Sequence, residues 1–161
     1  MSGTVEGVFH AVNSVSDMQE AVRFYRDLLG LTVTFDDYHD PAAISQLFGY
    51  DEPRLHAVVV SCPDGSEIEL VEFERPRGRS SVTREAADAG LLSVNLRVSD
   101  IGSIVDRLRE AGYPPRSDLV EQTLPDGGTI TVAVCRGPDD VTLILVELPE
   151  GRASLGEAGG V

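Results

Sequence analysis

The chain reads as an α+β protein made of two βαβββ modules in tandem, and three observations lead there. Val15-Ser16-Asp17 returns as Val98-Ser99-Asp100, and Leu70-Val71-Glu72 returns as Leu145-Val146-Glu147, a repeat of roughly eighty residues. Each Val-Ser-Asp triplet introduces a helical pattern that a glycine closes, Gly30 in the first copy and Gly112 in the second. Each Leu-Val-Glu ends a pair of β-rich stretches joined by a turn signal. Self-similarity of this kind describes two supersecondary units that each need a neighbour to bury a face.

In the first module, the alternating β-rich stretch 5–15 predicts a strand. Ser16 or Asp17 caps a helix over 18–29, with Met18, Ala21, Val22, Tyr25, Leu28 and Leu29 as its apolar stripe and Gly30 as its left-handed stop. A second strand is expected over 31–36. Residues 37–53 form a polar and aromatic excursion holding Tyr38, His39, Phe48 and Tyr50. Strands over 55–62 and 67–73 follow, joined by Pro63-Asp64-Gly65, a strong hairpin signal.

The second module repeats the order. It predicts a strand over 91–98, a helix over 101–111 capped by Ser99 or Asp100, and, after Pro114-Pro115, a strand near 119–123. Turns at Pro125-Asp126-Gly127-Gly128 and Gly137-Pro138-Asp139-Asp140 lead into strands over 129–135 and 141–148. The expected division is a first module over 5–73, a linker over 74–90 with a short helix near 81–89, a second module over 91–149, and a disordered Gly/Ala/Glu-rich tail over 150–161.

Bulk chemistry narrows the function classes. A net charge of −14 argues against nucleic acid as partner, since phosphate binding rests on clustered cations. The nearest cationic cluster, Arg75, Arg77, Arg79 and Arg84, falls in a Pro/Gly/Ser stretch and reads as a solvated linker. All thirteen cationic side chains are arginine, which removes lysine Schiff-base catalysis. An apolar share of 42% without a long apolar run excludes a membrane-spanning helix. No stretch near the start pairs a basic end with a long apolar segment, so the expected location is the cytoplasm, where Cys62 and Cys135 stay reduced.

The paired modules, His10 seven residues before Asp17, and Ile68-Glu69-Leu70 after a Pro-Asp-Gly hairpin resemble the vicinal oxygen chelate superfamily. This is the group of glyoxalases, bleomycin-resistance proteins and extradiol dioxygenases, and the likeness covers about residues 5–149. It implies that the modules curl into an open eight-stranded cup holding a divalent metal. It also implies His and Glu ligands from the first and last strands of each module. The matching positions here are His10, Glu69, Ser93 and Ile144. Two carry ligands and two do not.

His10 and Glu69 are therefore the candidate catalytic pair. Glu69 lies between Ile68 and Leu70, so an alternating strand points its carboxylate away from both, with Glu67, Val71 and Phe73 beside it. A catalytic zinc keeps about three protein ligands, and mononuclear iron uses two His and one carboxylate. The third ligand for a divalent metal would be His56, if the hairpin register turns it toward Glu69. His39 lies in the excursion and reads as a surface histidine, with folding over the mouth of the cup as the alternative. Ser93, Asn95 and Arg97 share one strand face, where Arg97 suits a carboxylate, phosphate or enolate oxygen or an internal ion pair. Tyr38, Phe48 and Tyr50 are the candidate apolar wall of a small-molecule pocket.

The leading functional expectation is an isomerase-, lyase- or cyclase-type enzyme that takes a proton from beside a carbonyl, with an incomplete metal site. The alternative is metal-free sequestration of a drug or natural product, as in the bleomycin-resistance group. Extradiol dioxygenation ranks last because the iron triad is incomplete. The expected partner is a small organic molecule, and the resemblance implies a homodimer.

Overall fold

The computed structural model describes residues 3–79, 87, 90 and 93–154 of the chain. The polypeptide divides into two compact units, Met1–Ser81 and Val82–Val161. Each holds one four-stranded mixed sheet with a helix against one face.

In the first unit the order is β1 (Ala11–Ser14), α1 (Met18–Val22) continued by a π-helical segment (Arg23–Leu28), β2 (Thr32–Tyr38), α2 (Pro41–Phe48), β3 (Arg54–Ser61) and β4 (Glu67–Arg75). The sheet order is β1-β4-β3-β2, with β1 parallel to β4 and the other pairs antiparallel. The second unit runs β5 (Val94–Val98), α3 (Ile101–Glu110), β6 (Val120–Thr123), β7 (Thr129–Arg136), a 3₁₀ turn (Pro138–Asp140) and β8 (Thr142–Glu147). Its order, β5-β8-β7-β6, repeats the first. The tandem βαβββ reading therefore holds.

The repeated triplets have a structural cause. Asp17 accepts the Glu20 N–H at 3.0 Å and so caps α1, while Glu72 reaches across from β4 to accept the Met18 N–H at 3.1 Å. In the second unit Asp100 accepts the Ser103 N–H at 3.3 Å, and Glu147 accepts the Ile101 N–H at 3.4 Å. Each helix start thus gives its unpaired N–H groups one local and one sheet-borne carboxylate. Val-Ser-Asp and Leu-Val-Glu are two halves of one docking device.

Helix and sheet bury a common layer. Met18, Ala21, Phe24, Tyr25 and Leu28 pack over Val58, Val60, Ile68 and Leu70, all buried. Truncation of Leu70 to Ala there costs about 2–5 kcal/mol. Phe24 lies outside the predicted stripe. The π-helical turn explains it: Leu29 N–H bonds the Phe24 carbonyl five residues back at 3.1 Å, which brings adjacent Phe24 and Tyr25 inward together.

Other expectations need correction. The first strand is shorter than 5–15, because residues 3–10 carry no regular structure. The excursion 37–53 contains α2, with Asp40 accepting the Ala42 N–H at 3.0 Å, Pro41 in the first turn and Gly49 left-handed at φ 73. The helix predicted near 81–89 lies almost wholly outside the described residues, as do 91–92 of the predicted strand and 155–161 of the tail.

Candidate functional site

Ile68 and Leu70 face the helix, so alternation turns Glu69 to the opposite face of the first sheet. There it stands between Val12 of β1 and Val59 of β3. Two imidazoles meet its carboxylate. His10, on the segment entering β1, has Nε2 3.2 Å from Oε2, and His39, just past β2, has Nε2 2.9 Å from Oε1. The Glu69 side chain is 13% exposed, against 19% for His10 and 39% for His39. A largely buried carboxylate requires such partners.

The backbone places His39. Its N–H donates to the Leu55 carbonyl at 3.0 Å, extending the β2–β3 ladder by one residue. A bulge between Val33 and Phe35 resets the alternation of β2: Val33 pairs with Val60 on the helix face, whereas Phe35 pairs with Val59 on the Glu69 face. From that point Phe35, Asp37 and His39 follow the Glu69 face.

Apolar groups flank the trio. Phe35 lies 6.3 Å from the His39 ring, and Phe9 lies 4.4 Å from the His10 ring. Along the same face Ile44, Leu55, Ala57, Val71 and Phe73 form a cluster, and Phe48 and Tyr50 set their rings edge-on to Phe73 at 6.0 and 5.6 Å.

Two predicted residues belong elsewhere. His56 pairs in register with Glu72 and Tyr38, which puts it on the helix face, opposite to Glu69. Its Nε2 bonds Asp36 Oδ1 at 2.7 Å, so the third-ligand reading of His56 is corrected. Tyr38 goes with it. Its ring stacks on His56 at 4.9 Å, lies under the Arg54 guanidinium at 4.4 Å, and its hydroxyl donates to Glu74 at 2.7 Å. Both line an open groove of about 750 Å³ beside the start of α1, apart from Glu69.

In the second unit, Ser93, Asn95 and Arg97 share the sheet face away from α3, as their alternation predicts. The Ser93 hydroxyl donates to Asn95 Oδ1 at 2.6 Å, and Arg97 Nη1 donates to the Ala153 carbonyl at 3.0 Å. Register equates the units: Glu69 stands between Val12 and Val59 as Ile144 stands between Asn95 and Val134.

Two imidazoles and a carboxylate are donor types that zinc and iron accept. Yet the imidazoles address different oxygens of Glu69 at hydrogen-bonding distances, and no three His, Cys, Asp or Glu among the described residues are arranged to hold one ion. As it stands Glu69 is hydrogen-bonded by His39 and in close polar contact with His10, and the trio does not fit a chelate. Its chemistry is that of an oriented carboxylate backed by two proton-carrying rings.

A family model for the glyoxalase/bleomycin resistance protein/dioxygenase superfamily matches residues 7–145. A lactoylglutathione lyase-like protein of Aspergillus terreus is 26% identical over 149 residues, covering 88% of this chain and 75% of the relative. A glyoxalase family protein of Bacillus cereus superposes with a TM-score of 0.76 at 22% identity, covering 91% and 96% of the two chains. The trypanothione-dependent glyoxalase I of Leishmania major gives 0.60 at 18% identity, covering 89% and 87%. These structures share the fold.

Proposed function

The chain belongs to the glyoxalase/bleomycin resistance protein/dioxygenase superfamily, and within it we propose an enzyme of the isomerase or lyase type whose general base is Glu69. The observation that carries this reading is the carboxylate met at both oxygens, by His10 at 3.2 Å and His39 at 2.9 Å, between the apolar neighbours Val12 and Val59. In the proposed step a carboxylate oxygen of Glu69 takes the proton from the carbon beside a substrate carbonyl. The C–H pair becomes the enolate, with charge on the carbonyl oxygen. With an α-hydroxy carbonyl, His10 or His39 delivers the proton to the former carbonyl carbon while the α-hydroxyl proton passes to the enolate oxygen. With a β-leaving group, the enolate re-forms its C=O and expels that group, which takes the proton from Glu69. Positioned proton transfer of this kind contributes about 10²–10⁴-fold.

The likeness to a lactoylglutathione lyase-like protein supports the lyase-type reading. The substrate in this proposal is a small, largely apolar organic molecule, since the exposed Phe9, Phe35 and Val12 adjoin the trio. In the second unit, taken by itself, Ser93, Asn95 and Arg97 are proposed as recognition groups for an oxygen-rich ligand. Homodimerisation and a cytoplasmic location belong to the same proposal. No helix among the described residues is long and apolar enough to cross a membrane.

A second reading, sequestration without turnover, draws on the exposed rings of Phe48 and Tyr50 around Phe73. Solvent deuterium uptake separates the two. A panel of α-hydroxy and α,β-unsaturated carbonyl compounds is incubated with protein in D₂O and followed by proton NMR. Uptake at the carbon beside the carbonyl, lost in Glu69→Gln, supports the enzyme. Binding without uptake, equal in Glu69→Gln, supports sequestration.

A further inference from the structure

Beyond β8 the chain reverses and returns over the second sheet. Arg152 N–H bonds the Pro149 carbonyl at 3.1 Å, closing the turn, and Arg152 Nε bonds the Ser154 carbonyl at 2.9 Å. The Arg152 guanidinium enters the tip of the β6–β7 hairpin, where Nη1 meets Asp126 Oδ2 at 2.7 Å with only 13% of the side chain exposed. Gly128 makes room for it: a Cβ there would lie 3.1 Å from Arg152 Nη1. The next carbonyl, that of Ala153, takes the hydrogen bond of Arg97. The returning segment is thus held at two adjacent residues, Arg152 by Asp126 and Ala153 by Arg97 of the Ser93–Asn95–Arg97 face.

We propose that residues 149–154 are a strap that occupies Arg97 at rest and yields when an anionic group of a ligand, a carboxylate or a phosphate, takes Arg97 instead. The Ala153 carbonyl is a neutral acceptor. A carboxylate or phosphate can meet the guanidinium with two charge-assisted bonds, each about twice as strong. The exchange favours the anion, and the strap sets how much anion it takes. This inference rests on the reading of Arg97 as a recognition group.

The test uses the full chain, with inorganic phosphate as probe and hydrogen exchange of the 149–154 amides as the measure of the strap. Asp126→Asn removes the anchor. Gly128→Ala puts a Cβ 3.1 Å from Arg152 Nη1 and 3.2 Å from Asp126 Oδ1, pressing on the anchor without changing charge, at a φ open to alanine. Both variants should exchange faster at 149–154 and bind phosphate about 5–10-fold tighter than wild type, as expected when a mostly closed site is opened. Adding Arg97→Gln to either should abolish the binding. Faster exchange with unchanged phosphate affinity in Gly128→Ala would overturn the strap while leaving Arg97 as the anion site. Phosphate bound equally by Arg97→Gln and wild type would overturn the recognition reading itself.

Discussion

His39 reaches Glu69, with 2.9 Å between Nε2 and Oε1, because β2 carries one extra residue between Val33 and Phe35. Without that bulge the alternation of β2 would carry His39 to the helix face with Val33. Functional geometry here depends on an irregularity that moves one side chain through the sheet.

Replacement of Glu69 by Gln keeps the shape of the side chain and removes its basicity. Steady-state kinetics on a substrate found in the deuterium panel should show kcat reduced by at least about 10²-fold with KM little changed. A change in KM alone would assign Glu69 to binding.

His39 and His56 make a contrasting pair. Alanine at His39 frees one oxygen of Glu69 and should lower kcat by about 10–100-fold. Alanine at His56 removes contacts to Asp36 and Tyr38 on the other face and should leave kcat unchanged. Parallel assays of the two variants read this directly, and equal losses would contradict the face assignment.

Glu72 and Glu147 each dock a helix start to the sheet. Glu72→Gln should lower unfolding stability by about 1 kcal/mol. Glu147→Gln should cost less, because its bond to Ile101 is 3.4 Å against 3.1 Å at Met18. Urea titration of the two variants measures the difference.

Tyr25 supplies a pH dependence. Burial pushes its phenol well above the ordinary value of 10.0, with the Asn13 hydrogen bond, 2.6 Å, opposing in part. A raised pKa means the folded state holds the proton more tightly, so this contribution is whole below pH 10 and is lost as pH climbs further. Tyr25→Phe should be about 1 kcal/mol less stable than wild type at pH 7. That gap should close above pH 10 in denaturation curves taken across the range.

The architecture was legible because its signals are local. Asp17 and Asp100 cap helices within three residues, and the repeat of Leu-Val-Glu marks where a strand meets the helix start. The direction of Glu69 followed from the alternation of Ile68 and Leu70. α2 was missed although Asp40-Pro41 and Gly49 are ordinary start and stop signals, since the stretch read together with the flanking Tyr38, His39 and Tyr50 as one polar and aromatic excursion. The facing of His56 and His39 was not legible. Strand register across the 62–66 turn decides the first and the β2 bulge the second, and neither is encoded near the histidine itself.

The most direct test of the account needs no substrate: long-range ¹⁵N–¹H spectra of the three histidines in wild type and Glu69→Gln. His10 and His39 should carry their protons on Nε2, both signals should move in Glu69→Gln, and His56 should stay put. Unmoved His10 and His39 signals, or a His56 signal that moves with Glu69, would contradict it.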